Sequence, residues 1–239
     1  ALTAFFRGRK WAVEAAMSYA ITGAVITTTF FFAVVYLYAS YGTVNMADVA
    51  AKANGVSAPA LYYFSGPLLT DLRRTAIASA IAIAVMLWSL IFEAGLYPNN
   101  FWLPSAYTEA PSPASAIFAG IVDKVGTYGV LRLFVTIFTF NSVLATSIPG
   151  INLRSLFLEI LSILGLISAL IGALLMIVQT DAKRLLSYST ISHIGLIFMT
   201  FAALENPATA GAALMAIMLH MAVHAISESS LFLSFGGLA

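Results

Sequence analysis

The chain has no cysteine and few charges of either sign. The missing thiols exclude disulfides, thiolate-bound iron–sulfur clusters and Cys-based zinc sites within these 239 residues. Charged residues make up 9% of the sequence, against about 25% in soluble domains. With a net charge of +1 and no long basic run, nothing here is suited to hold nucleic acid. Phosphate-binding loops, dinucleotide fingerprints and nucleophile elbows are absent as well, so no redox or hydrolytic site is expected in this chain. Any redox chemistry belongs to other subunits.

What the chain has is apolar length. Residues of hydrophobic type account for 61%, gathered into runs of the roughly 20 residues that a spanning helix requires. The expected spans are Trp11 to Ala39, Thr75 to Leu96, Ala114 to Phe138, Ser155 to Val178, Leu186 to Leu204 and Thr209 to Leu238, after a stub at Ala1 to Lys10. This predicts an all-α polytopic transmembrane bundle, a single domain over residues 1–239. The chain starts at Ala1 and stops at Ala239 inside an apolar run, as a piece of a longer protein would. The connection Tyr41 to Arg74 carries Gly42, Gly55, Pro59, Gly66 and Pro67 and reads as a largely extramembrane loop with a short surface helix at Met46 to Ala53. In Pro98-Asn99-Asn100-Phe101-Trp102-Leu103-Pro104 two prolines remove backbone donors, which predicts a helix broken just past Glu93, with freed carbonyls or an interfacial Trp102 anchor. Arg7, Arg9 and Lys10 share one face of the membrane with Lys183 and Arg184, opposite Lys52, Arg73, Arg74 and Arg154, a charge bias too small to fix orientation.

Glu93, Lys124, His220, His224 and Glu228 lie inside these apolar runs. Ionisable groups are costly in hydrocarbon, so each needs a partner or a wet path, and an ion or proton route is the expected function. His220, His224 and Glu228 recur every fourth residue, which stacks them along one helix face at about 6 Å per step. That stripe suits a proton relay, because histidine titrates near neutral pH. A His-x-x-x-His zinc site and a set of interhelical packing bonds are the alternatives. Lys124 sits among Gly120, Gly126 and Gly129, where helices can approach closely. Asp123 should point about 100° away from it, so Glu93 is the better candidate partner, in a relay or in a purely structural ion pair.

His193 is expected either to extend the relay sideways or to bond Ser189 or a backbone carbonyl. Asp181, Lys183 and Arg184 are expected at the membrane surface, Glu14 at the interface, and Arg132 and Glu159 to snorkel or pair near helix ends.

Three blocks carry a family resemblance. Gln179-Thr-Asp-Ala-Lys-Arg-Leu-Leu-Ser-Tyr-Ser-Thr-Ile-Ser-His-Ile-Gly195 resembles the loop and helix start of the antiporter-like subunits shared by respiratory complex I, Mrp-type cation/proton antiporters and energy-converting membrane-bound hydrogenases. The stretch Phe101 to Ala116 followed by Asp123 to Arg132 is similar to that family's pattern after its broken helix, and His220 to Leu233 to its histidine-bearing central helix. The resemblance implies two inverted five-helix repeats, of which this chain holds most of the first and the start of the second, with the Arg7 and Lys183 loops cytoplasmic. It implies roles for Lys124, His220 and His224 in proton movement. Glu93 and Glu228 stand where that family usually carries lysine, which points to a shared proton or a bound Na⁺ at either carboxylate. Expected partners are the lipid bilayer and other membrane subunits, including related antiporter-like ones. Iron–sulfur, flavin or nickel–iron centres would lie in those partners, and the setting would be a prokaryotic plasma membrane or an organellar inner membrane. The rivals are a non-pumping structural paralogue and, more weakly, a quinone or lipid site near Pro98 to Pro104.

Overall fold

A computed structural model describes residues 10–55, 72–146 and 150–236. Arg7, Arg9 and most of the stub, together with Pro59, Gly66 and Pro67, lie outside the described residues, as does the end of the last predicted span. In chain order the elements are α1 (Lys10–Tyr41), α2 (Met46–Ala53), α3 (Leu72–Ala94), α4 (Trp102–Glu109), α5 (Ser112–Ile137), α6 (Val143–Thr146), α7 (Leu153–Ile177), α8 (Ala182–Leu204) and α9 (Pro207–Gly236). Six of these helices are long and apolar enough to cross a membrane, and they coincide with the six predicted spans to within about a turn. Helix α8 starts earlier than expected because Asp181 caps it, accepting from the Arg184 amide at 2.9 Å.

The surface helix appears where it was expected, at Met46–Ala53. Asn45 caps its start, Asp48 and Lys52 pair at 2.7 Å across one turn, and Asn54 donates to the Ile137 carbonyl at 2.8 Å. That last bond ties α2 to the end of α5.

The break past Glu93 is present, but a glycine rather than a proline makes it. Helix α3 stops at Ala94, and Gly95 turns the chain at φ 73° into the segment that leads through Pro98 to α4. A side chain there would be strained, and its Cβ would also collide with Leu103. Pro104 does not break α4; it sits in the first turn, where a missing amide costs nothing. The Trp102 indole donates to the Phe92 carbonyl at 2.9 Å, and Trp102 is buried against Phe92 and Tyr19. It is thus an internal strut and not an interfacial anchor.

Helix α5 packs on α3 through Gly126, whose hydrogen faces the Leu90 carbonyl and the Ala94 amide so closely that any Cβ would strike backbone. The helix itself contains two segments of π-type winding, Phe118–Val122 and Leu133–Ile137. On its other side α9 crosses it, with Ser229 donating to the Ala116 carbonyl at 2.9 Å. Helices α7 and α8 form a hairpin in which Gly165 and Gly195 bring the two backbones together.

Two cations assigned to loops prove to be internal. Arg154 is 1% exposed and donates to the carbonyls of Phe134, Phe138 and Leu204 while pairing with Glu205. Lys183 is buried and donates to the Ala110 carbonyl at 2.9 Å. The C-terminal ends of helices leave carbonyls without intrahelical donors, and these long basic side chains satisfy them. Neither residue can then be counted as a free loop charge when orientation is argued.

Candidate functional site

The site is assembled from the middles of α5, α8 and α9. Lys124 lies near the centre of α5, His193 near the centre of α8, and His220, His224 and Glu228 along one face of α9. Asp123, Lys124, His224 and Glu228 are 0%, 8%, 4% and 2% exposed, so water from outside the bundle does not solvate them. Burial at this level is expensive for any group that carries charge.

Lys124 pairs with Asp123, its sequence neighbour, at 2.9 Å, and also donates to the Ala119 carbonyl. This corrects the expected Glu93–Lys124 pair. The reason lies in the π-type turn Phe118–Val122 immediately before Asp123. A ladder that changes register passes a carbonyl over and departs from 100° per residue, so the lysine can curl back toward its own helix. The pair leaves Asp123 Oδ1 buried without a hydrogen-bond partner among the described residues.

On α9, His224 Nε2 and Glu228 Oε1 stand 3.5 Å apart, an ion pair when the imidazole is protonated but no hydrogen bond in this geometry. Both His224 nitrogens and Glu228 Oε2 are buried without hydrogen-bond partners among the described residues. His193 reaches across from α8 and joins the stripe: its Nδ1 is 3.1 Å from His220 Nε2, and its ring centroid is 4.8 Å from that of His224. It bonds His220 rather than Ser189. Lys124 lies within electrostatic range of His220, His224 and Glu228, so the α5 and α9 groups are electrostatically coupled. Among the described residues no three His, Asp or Glu side chains converge in a way that could hold a metal ion, which leaves the His-x-x-x-His zinc alternative without a third ligand.

Glu93 stands apart. It is half-buried at the end of α3, with no hydrogen bond or ion pair among the described residues. The groups within electrostatic range of it are the phenols of Tyr19 and Tyr107. Tyr107, on α4, is fully enclosed; its hydroxyl has no hydrogen-bond partner among the described residues and senses Glu93, Asp123 and Glu228 alike. It packs against Trp102 beside the break and against Phe232 of α9, which places it between the break and the helix that carries the histidines. Sequence reasoning missed both Tyr107 and the part played by Asp123. The signal for Asp123 was present, a second ionisable group in an apolar run, whereas a lone tyrosine in an aromatic-rich stretch carries none. Among the remaining charges, Glu14 is exposed and Glu159 accepts from Ser155 on α7. Arg132 lies over the Tyr128 ring, 5.9 Å from its centroid.

Among the described residues, six helices long and apolar enough to span a membrane, one of them ending in a break beside a carboxylate and three contributing a cluster of ionisable groups, define a polytopic integral membrane protein. The family described as NADH:quinone oxidoreductase/Mrp antiporter, TM, matches residues 1–239, and the chain belongs to it. It is 31% identical over 229 residues to a Na(+)/H(+) antiporter subunit of Alkalihalophilus pseudofirmus, covering 96% of this chain and 40% of that protein. It is 26% identical over 235 residues to an NADH-quinone oxidoreductase subunit of Rubrobacter xylanophilus, covering 98% and 42%. Among solved structures, a chain of the membrane-bound sulfane sulfur reductase, an archaeal respiratory membrane complex, superposes with a TM-score of 0.74 at 25% identity, covering 98% of this chain and 41% of that one. The chain thus spans about two fifths of the length of these relatives.

Proposed function

We propose that this chain is the ion-translocating part of a membrane subunit in a multi-subunit energy-converting complex of a prokaryotic plasma membrane. It passes protons along Glu93, Tyr107, Lys124 with Asp123, and the His193–His220–His224–Glu228 file, and exchanges Na⁺ if Glu93 or Glu228 takes up that cation. The observation that carries this reading is the set of enclosed polar atoms left without hydrogen-bond partners among the described residues: Tyr107 Oη, Asp123 Oδ1, His224 Nδ1 and Nε2, and Glu228 Oε2. Buried polar groups are nearly always satisfied, and clustered exceptions mark functional sites or sites of internal water. Packing alone would have favoured apolar side chains at these positions.

Each group has a role that its chemistry supports. Lys124 exchanges a proton between Asp123 and the histidines, because a buried ammonium is held only by its partners. The imidazoles accept at one ring nitrogen and release from the other, which suits them to handing protons along a file. Glu93, at the mouth of the break, loads the path, and Tyr107 links it to the centre. The names of the relatives, a Na(+)/H(+) antiporter subunit and a quinone oxidoreductase subunit, support the same reading. Iron–sulfur, flavin or nickel–iron centres, where present, belong to partner subunits, and related antiporter-like subunits are the expected neighbours. The test is Glu93→Gln in the full-length protein within its reconstituted assembly. Loss of coupled ion transport with intact assembly supports the assignment, and unchanged transport removes Glu93 from the path and favours the scaffold alternative.

A further inference from the structure

Helices α1, α2, α3 and α5 leave between them a groove of about 480 Å³. Its walls are apolar, formed by Phe30, Val34 and Leu37 of α1, Met86 and Leu90 of α3, and Val125 and Leu133 of α5. From Val125 to Ile137, both on its wall, α5 rises about 18 Å, close to half of the roughly 30 Å hydrocarbon thickness of a bilayer. The groove therefore runs the depth of one leaflet. Its outer end lies under the surface helix α2, which Asn54 fastens to the end of α5 and whose Met46 and Val49 also line it.

Among the described residues one cation faces this apolar space. Arg132 lines the groove about five residues, or roughly 7 Å, before α5 ends, where a long side chain can bring its head to the interface. Its guanidinium stacks on Tyr128 but makes no hydrogen bond or ion pair among the described residues. The contrast with Lys52 is informative, since that cation is spent on Asp48 and the Tyr41 carbonyl. A chain-length apolar slot with one uncompensated guanidinium at its headgroup end matches an anionic phospholipid in both parts. We infer that the groove binds such a lipid, its acyl chain along Val34 and Val125 and its phosphate on Arg132, where the planar fork gives bidentate contact.

The test uses the full-length protein in its purified, delipidated assembly, titrated with phosphatidylglycerol or with phosphatidylcholine of identical acyl chains and read by native mass spectrometry. Wild type should retain phosphatidylglycerol at least about fivefold more tightly, the scale of one basic residue near an anionic headgroup layer. Arg132→Gln should abolish that preference while keeping the weaker binding common to both lipids. Val125→Trp, at an exposed position on the groove wall, should reduce both. Equal retention of the two lipids by wild type, or an undiminished preference in Arg132→Gln, overturns the inference. So does a photoreactive side chain at position 125 that cross-links to another subunit instead of to lipid, because the occupant is then protein.

Discussion

His193 Nδ1 and His220 Nε2 meet at 3.1 Å and join α8 to the polar face of α9. One ring must donate and the other accept, so the two tautomers are coupled. Protonation of the donating ring at its other nitrogen keeps the bond, whereas protonation of the accepting nitrogen breaks it unless the first ring gives up its own proton.

The coupling is measurable by a double-mutant cycle. His193→Phe and His220→Phe should each slow proton transport in reconstituted vesicles, and the double variant should lose little more than the worse single one. The expected interaction is about 1 kcal/mol, typical of hydrogen-bonded neighbours. Fully additive losses would place the two histidines on separate routes.

Tyr107→Phe separates transport from folding. The enclosed hydroxyl has no hydrogen-bond partner among the described residues, and an unsatisfied buried group costs about 1–3 kcal/mol. Its removal should leave thermal stability unchanged or raised. Transport should nevertheless fall at least about tenfold, as expected when a proton-transferring group is lost. Equal transport by the variant would confine Tyr107 to packing against Phe118 and Phe232.

The Asp123–Lys124 pair yields a stability prediction of the opposite kind. Asp123→Leu alone strands a buried ammonium and should destabilise the assembled protein by about 3 kcal/mol in thermal or denaturant unfolding. Asp123→Leu with Lys124→Met replaces both charges by apolar groups and should recover most of that loss. A double variant as unstable as the single one would mean that a stranded ammonium is not the source of the loss.

The surface helix α2 has a pH dependence of its own. The hydrogen bond from Lys52 holds the Asp48 carboxyl below the usual carboxylate value. A depressed value means that the contribution is present above the free carboxylate value of about 3.9 and is lost as pH falls through the lower folded value. Protection of the amides in residues 46–53, taken relative to their intrinsic exchange rate at each pH, should therefore stay constant from neutral pH down to that range and fall only below it. Asp48→Asn should remove the acid step.

Much of this arrangement could be read from the residues. Ionisable groups at Lys124, His224 and Glu228 interrupt apolar runs, and burial follows because a spanning helix has no other place for them. The surface helix was legible as a short segment at Met46 to Ala53 within a connection rich in glycine and proline. The Asp123–Lys124 pairing is not legible from regular α-helical angles, because the π-type winding before it departs from them and leaves no mark in composition. Lys183 and Arg154 were placed in loops because hydropathy registers their charge and not the carbonyls of Ala110, Phe134 and Phe138, which only the folded bundle brings within reach. The break after Glu93 was located correctly but credited to proline, although Gly95 alone supplies the left-handed turn.

The most direct test of ion translocation by this file is Lys124→Met in the full-length protein, co-purified with its partner subunits and reconstituted into vesicles that report proton movement. Loss of coupled proton transport with subunit composition retained is the predicted result, both in this variant and in Lys124→Met with Asp123→Leu, which leaves no buried carboxylate stranded. Transport at the wild-type rate would contradict the account, because it would show that protons cross without the one lysine at the centre of the buried cluster.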